Sequence, residues 1–449
     1  MEPHKEACVG MEREKLESLL EQLLAEAKSQ GATAAEADVS LVTGLSVNVR
    51  KGEVETVEHN KDRGLGVTVY VGQRKGSAST SDFSTQAIKE TVTAACGIAK
   101  YTTSDPYAGL ADAALMAYNY EDLDLNHPWP LSAEQGIELG IACEAAAFAV
   151  DKRIANTEGA SVSSHQGARI YGNSHGFIGS YDTTRHSLSC SVIAQEGDDM
   201  QRDYWYSSSR EPNALESAAD VGRKSGERAI KRLGGRRINT GKMPVVFATE
   251  VASSLISHFI SAIRGDALYR KTTFLLDSLD EAIFPSFMTI SEHPHIKRGL
   301  SSAPFDGEGV RTQTRDIVSE GVVRSYVLSS YASRRLGMET TGNSGGVRNL
   351  TVSSGSKDLA GLLSEMDTGF LVTELMGQGV NQTTGDYSRG AAGFWVEGGV
   401  IQYPVEEITI AGNLRDMYQG IQAVGSDVDF RRNIRTGSIL IKEMMIAGT

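Results

Sequence analysis

The sequence predicts an α+β protein made of two unlike halves. The first is an internally duplicated helix–antiparallel-meander–helix region, and the second is a mostly antiparallel, barrel-like β domain. Three observations carry this prediction. Apolar residues recur at helical spacing in four stretches of the first 234 residues, with short strand-like segments and turn residues between them. The order helix, meander, helix occurs twice, over residues 12–104 and 131–234. Beyond a glycine- and arginine-rich linker at 234–242, strand patterns dominate. A chain of 449 residues is also too long for one core, so limits of 12–234 and 235–449 are expected.

Each element has a local reason. Leu16, Leu19, Leu20, Leu23, Leu24 and Ala27 form an apolar stripe that Gly31 ends. Strands are expected at 37–42, 45–50, 53–59, 64–71 and 74–80, with Gly44, Gly52 and Gly72 at the breaks. A helix follows at 85–100. The second unit opens with an alanine-rich helix at 133–150 and continues with strands at 154–163, 167–171, 176–181, 187–195 and 202–208. A helix at 214–233 closes it. In the second half, a strand at 243–248 precedes a helix at 251–264. Hairpins are expected at 310–318 with 322–328, and at 390–396 with 400–410. Residues 331–336 and 413–421 read as short helices, and 347–353 as a strand.

Composition narrows the class. Hydrophobic content of 40% and charged content of 22% suit a globular chain rather than a disordered one. A net charge of −13, from 44 basic and 57 acidic residues, opposes general nucleic-acid binding. Cys8, Cys96, Cys143 and Cys190 are far apart, which fits reduced thiols in a cytoplasmic protein. The N-terminus, with Glu2, Lys5, Glu6, Glu12 and Glu14, lacks an apolar signal core, and either Met1 or Met11 can serve as the start. No window approaches the roughly 18 apolar residues of a membrane span.

Several motifs invite a chemical reading, and most fail on spacing. His293-Pro294-His295 offers two imidazoles beside Glu292, without a third ligand at a sensible distance. Gly342-Asn343-Ser344-Gly345-Gly346 has the letters of a nucleophile elbow, which needs strand before serine and helix after. Here a helix precedes and a strand follows, so a polar turn is expected. The Gly235–Lys242 stretch has the outline of a phosphate loop, but its glycine spacing is one residue long and Met243 replaces the metal-binding hydroxyl. Residues 223–242 hold eight basic side chains and one acidic one, Glu227, with no interleaved aromatics. They read as a solvated helix end. Asp306, Glu308, Arg315, Asp386, Ser388 and Arg389 belong to the densest polar groups of the β-rich half.

The block Asp386-Tyr387-Ser388-Arg389-Gly390-Ala391-Ala392-Gly393-Phe394-Trp395 is more specific. With the 304–309 turn, the following 310–316 and a terminal strand at 444–448, it resembles the TldD/PmbA family from about residue 12 onward. Within that family the chain resembles the PmbA (TldE) branch, which lacks the metal site. In the TldD branch an HExxxH helix in this domain holds a metal. Counting back from Gly265-Asp266 places Ile256, Ser257 and Ser261 where His, Glu and His would stand. Isoleucine has no lone pair, and serine hydroxyls are poor ligands for a divalent cation. His258 is two positions out of register, about 200° around the helix. A TldD-like site would also take a cysteine near the C-terminus, and none follows Cys190.

The resemblance implies a cytoplasmic subunit with no catalytic residue and no metal of its own. It pairs with a TldD-like metallopeptidase subunit that carries zinc. The long hairpin at 390–410 exposes hydrogen-bonding edges and apolar faces, so a homodimer through the β-rich half is expected when the chain is alone. The family's substrates are unfolded peptides, including antitoxins and modified antimicrobial peptide precursors, and it also bears the label "modulator of DNA gyrase". Asp306, Glu308, Arg315, Asp386, Ser388 and Arg389 become candidates for a peptide groove or a subunit interface. Two other readings stand beside this one. One is a regulatory module acting on a gyrase- or RNA-linked partner. The other is an autonomous hydrolase using Ser344 or a metal at His293 and His295.

Overall fold

In the computed structural model, which describes residues 3–448, the first half runs α1 (Pro3–Ser29), β1 (Ala34–Arg50), β2 (Glu53–Val71), β3 (Arg74–Thr80), α2 (Thr85–Tyr101), α3 (Ala133–Phe148), β4 (Ile154–Asn173), β5 (Ile178–Glu196), β6 (Asp199–Ser209) and α4 (Ala218–Lys231). Side chains of residues 1–12, including Met1, Cys8 and Met11, lie outside the described set.

The six strands form one antiparallel sheet in the order β3-β2-β1-β4-β5-β6. The first strands of the two repeats pair at its centre, from Glu36 opposite Asn173 to Val49 opposite Ala160. Side chains alternate along a strand. Val39 and Val47 of β1, and Val162 and Ile170 of β4, therefore face one side, and all four helices cover that side. The leucine stripe is confirmed, with Leu16, Leu20, Leu23 and Ala27 all buried. Glu144 of α3, itself buried, ties the repeats together. Its carboxylate accepts the backbone N–H of Lys51 at 2.9 Å and of Gly52 at 2.6 Å, at the tip of the β1–β2 hairpin.

Four strands differ from expectation. β1, β2, β4 and β5 each run unbroken where the sequence suggested two pieces. Gly44 is not a turn residue. It lies opposite His165, and a Cβ there would come within 2.1 Å of the ring. The actual turn is Lys51-Gly52, both at positive φ (55° and 75°), the geometry that suits a two-residue hairpin.

The second half comprises β7 (Gly241–Phe247), α5 (Thr249–Ala262), α6 (Gly265–Arg270), β8 (Ile290–Glu292), β9 (Arg315–Ser319), β10 (Val322–Val323), α7 (Ser330–Leu336), β11 (Leu350–Val352), α8 (Leu359–Met366), β12 (Gly369–Met376), β13 (Asp386–Glu397), β14 (Val400–Asn413), α9 (Leu414–Gln419), β15 (Ile421–Val424), β16 (Ile434–Arg435) and β17 (Ile439–Ala447). The pairings β14-β13-β12-β7-β17 close on themselves through Thr409–Ala411 of β14 against Met445–Ala447 of β17, making a five-stranded barrel. A smaller sheet, β10-β9-β8-β11-β16, lies beside it.

The expected strand at 310–318 shrinks to β9 because its first residues bond elsewhere. Arg311 N–H reaches Leu115 O, and Ala117 N–H reaches Gly309 O. The strand at 322–328 likewise shortens to β10, since Val327 exchanges bonds with Ile263 and Gly265. Phe394 and Trp395 face opposite ways, as adjacent strand residues must. Trp395 packs against the core cluster that includes Phe370 and Val245, and Phe394 against the separate cluster that includes Leu362, Leu363 and Met366. The outer edge of β14 is less open than the hairpin pattern suggested. β17 takes one end of it, and Arg236 bridges to Val405.

Two arginines, Arg210 buried and Arg334 half-buried, join the halves. Arg210 donates to the carbonyls of Thr184, Gly299 and Leu300 at 2.9–3.0 Å. Arg334 of α7 donates to Leu110 O at 2.6 Å and also to the carbonyls of Tyr107 and Gly109. Cys96, Cys143 and Cys190 are buried free thiols. Among the described residues, no helix is long and apolar enough to cross a membrane.

Candidate functional site

Helix α5 follows β7 and lays Leu255, Ile256 and Phe259 into the large core of the β-rich half. Ile256 is fully buried there, so the side chain at that position meets hydrocarbon rather than an accessible cleft. Ser257 is exposed one position on. Ser261 turns its hydroxyl back onto the Ser257 carbonyl at 2.9 Å, a bond within the helix. These three residues do not fit a metal site. Among the described residues, no three His, Cys, Asp or Glu side chains cluster closely enough to hold a metal ion.

What the helix does present is His258. Its ring meets Tyr387 of β13 edge-on, with centroids 6.1 Å apart. Burial, then the nearby Arg389 charge, lowers the imidazole pKa and favours the neutral ring. Burial pushes the Tyr387 phenol up to about 12. His258 Nε2, Tyr387 OH and Arg389 Nε are all buried without a well-aligned hydrogen bond, although the Arg389 guanidinium lies close enough to Tyr387 to pull its phenol pKa down against burial. Buried polar atoms this poorly paired on adjoining side chains are uncommon in a native fold.

Arg389 also lines a cavity of about 360 Å³ between the halves. On one side stand β6 and α4, with Trp205, Tyr206, Arg228 and Arg232. On the other stand the first turns of α5, with Glu250 and Ser254, and the strand residues Thr373 and Glu374. Arg431 closes a corner by stacking over the Trp205 ring at 4.0 Å while holding Asp429 at 2.8 Å.

The remaining candidates disperse. Asp306 is buried in the 304–309 turn, where its carboxylate accepts three backbone N–H groups, from Glu308, Val310 and Ser344. Glu308 accepts the Ser330 N–H at the start of α7. Arg315 joins Glu292 at 3.1 Å, and it also bonds Ser325 and Asn343, all within the small sheet and its loops. Asp386 and Ser388 are exposed on β13, with Asp386 bonded to Thr384. The structure therefore separates Asp306, Glu308 and Arg315, held by local bonds, from Arg389 in the cavity.

Ser344 donates its backbone N–H to Asp306, and among the described residues no base bonds its hydroxyl. His295 bonds Thr312 at 2.9 Å. The basic run 223–242 is matched by acids from elsewhere: Arg228 by Asp203 and Glu250, Arg237 by Glu407, and Lys242 by Glu443. No local pattern marked Trp205, Tyr206 or Arg431 as cavity residues, because only the packing of the two halves assembles them.

A duplicated antiparallel sheet joined to a closed five-stranded barrel, with a helix beside the barrel whose residues do not fit a metal, defines the class of fold. The chain belongs to the PmbA/TldD metallopeptidase family. Its models for domain 1, the central domain and the C-terminal domain of PmbA/TldA metallopeptidases match residues 35–99, 126–233 and 240–448. The chain is 53% identical over 425 residues to the metalloprotease PmbA of Escherichia coli O157:H7, covering 95% of this chain and 94% of that protein. A solved structure from Bacteroides thetaiotaomicron, described as a modulator of DNA gyrase, superimposes with a TM-score of 0.92 at 29% identity, over 96% of this chain and 99% of that one. TldE from Thermococcus kodakarensis shares the fold, with a TM-score of 0.83 at 20% identity, over 96% of this chain and all of that one.

Proposed function

We propose that this chain is the metal-free subunit of a two-subunit metallopeptidase, whose zinc sits in a TldD-like partner and whose substrates are unfolded peptides. The observation that carries the reading is the chemistry of α5. Ile256 lies in the core, Ser257 faces solvent and Ser261 bonds its own helix, in a protein of a metallopeptidase family. A chain kept at this size and fold without the ligands is suited to shaping or completing a site on another subunit. The likeness to a TldE fold supports the same assignment. The division at residues 234 and 235 belongs to this reading, with the β-rich half as the partner-facing domain.

Reconstitution tests it. The isolated chain should leave an unfolded peptide uncut, and mixing it with a TldD-like subunit should produce both a stable complex and cleavage. Failure to form that complex would overturn the proposal.

A further inference from the structure

We infer that the cavity between the halves binds the C-terminal carboxylate of a peptide, with Arg389 as its counter-ion. This rests on the peptidase reading and gives it a recognition site within this chain.

Charge is the first argument. Six arginines and three carboxylates line the cavity, an excess of positive charge in a chain whose net charge is −13. Five of the arginines already hold acids. Arg228 meets Asp203 and Glu250, Arg232 meets Glu374, Arg431 and Arg432 meet Asp429, and Arg202 meets Glu158. Arg389 alone has no carboxylate partner among the described residues.

Arg389 itself is the second argument. It reaches the cavity lining while its Nε, which can only donate, has no acceptor; Tyr387 and His258 lie behind it, outside the lining. A carboxylate carries about four lone-pair sites and satisfies several donors at once. A neutral oxygen can also accept from Arg389, but without the charge that makes the bond to a carboxylate about twice as strong. Size is the third argument. At about 360 Å³ the cavity sits at the low end of small-ligand sites, which run roughly 300–1,000 Å³. It suits a terminal residue or two rather than a long internal segment.

The test is calorimetric titration of the full-length chain with a short apolar peptide, once as the free acid and once as the C-terminal amide. Inorganic phosphate serves as a control for general anion binding. The acid should bind at least about tenfold more tightly than the amide, the scale of one charge-assisted hydrogen bond. Arg389→Gln should abolish that preference, and Arg389→Lys should keep part of it. Ser254→Glu, which places a carboxylate inside the cavity without touching Arg389, should abolish it as well, and so decides the question if Arg389→Gln fails to fold. Equal binding of acid and amide, no binding of either, or a preference that survives both substitutions would overturn the inference. Phosphate binding as tight as that of the acid would reduce the site to a general anion hole and overturn it too. A clear acid preference in a chain that gains no peptidase activity with its partner would keep the site and remove the peptidase reading. Activity with equal acid and amide binding would do the reverse.

Discussion

Asp306→Asn tests how the turn at the seam of the two halves is held. Asp306 is fully buried, with Glu308 and Val310 donating to Oδ1 at 2.8 and 3.0 Å and Ser344 donating to Oδ2 at 2.8 Å. Asparagine keeps the shape but offers one oxygen. If that oxygen keeps two donors, the amide NH2 turns toward the Ser344 N–H. Relative to the ionised carboxylate, one buried hydrogen bond is then lost and two donors meet, which costs about 1–3 kcal/mol above about pH 7. The pH dependence separates this effect from a general loss of fit. Burial, reinforced by the charge of Glu308, pushes the Asp306 carboxyl from 3.8 up to about 7. A folded value above the unfolded one means that the group's stabilisation is complete below about pH 4 and lost as pH rises through 7. Between roughly pH 5 and pH 8 the wild type should lose about 3 kcal/mol from this group, and the asparagine variant none. Unfolding of both proteins at the two pH values is the assay. The gap between them is the readout, because other titrating groups cancel. The gap should narrow by that amount at the higher pH. A constant gap would refute the buried-carboxyl argument, and a widening gap would show that the three N–H donors outweigh burial.

Three other outcomes are expected. Glu144→Ala removes both hydrogen bonds to the Lys51-Gly52 turn and should destabilise the chain by about 1.5–3 kcal/mol, measured by denaturant unfolding; no change would mean that the turn holds itself. Ser344→Ala should leave the activity of a reconstituted complex near its starting level, whereas a drop of about a thousandfold, the scale of losing a nucleophile, would restore the serine hydrolase reading. Expressed alone, the chain should form a dimer through its β-rich half, burying at least about 2,000 Å². Light scattering at micromolar concentration checks this, and a mass of one 48.2 kDa chain would contradict it.

The parts of this fold that were legible in the sequence rest on local physics. The Leu16–Ala27 stripe needs only helical periodicity, and the Lys51-Gly52 and Gly398-Gly399 turns need only residues that accept positive φ. Reading broke down where a distant neighbour decides the outcome. Gly44 has the letter of a turn, yet it is glycine because a ring 121 positions later in sequence occupies the space of its Cβ. The small sheet was hard to see because β8, β10, β11 and β16 hold only two or three residues each, too few to show a period. Arg389 was visible through its motif. Its cavity was not, since the opposing residues run from Arg202 to Arg432 and meet only when the halves pack. The acids that match the basic linker, such as Glu407 and Glu443, come from equally distant segments.

Whether α5 can hold a metal is answered most directly by elemental analysis of the isolated chain after extensive dialysis. With Ile256 in the core and Ser257 and Ser261 in place of nitrogen and carboxylate ligands, it should carry well under one zinc per chain. About one tightly held zinc per chain would contradict the account.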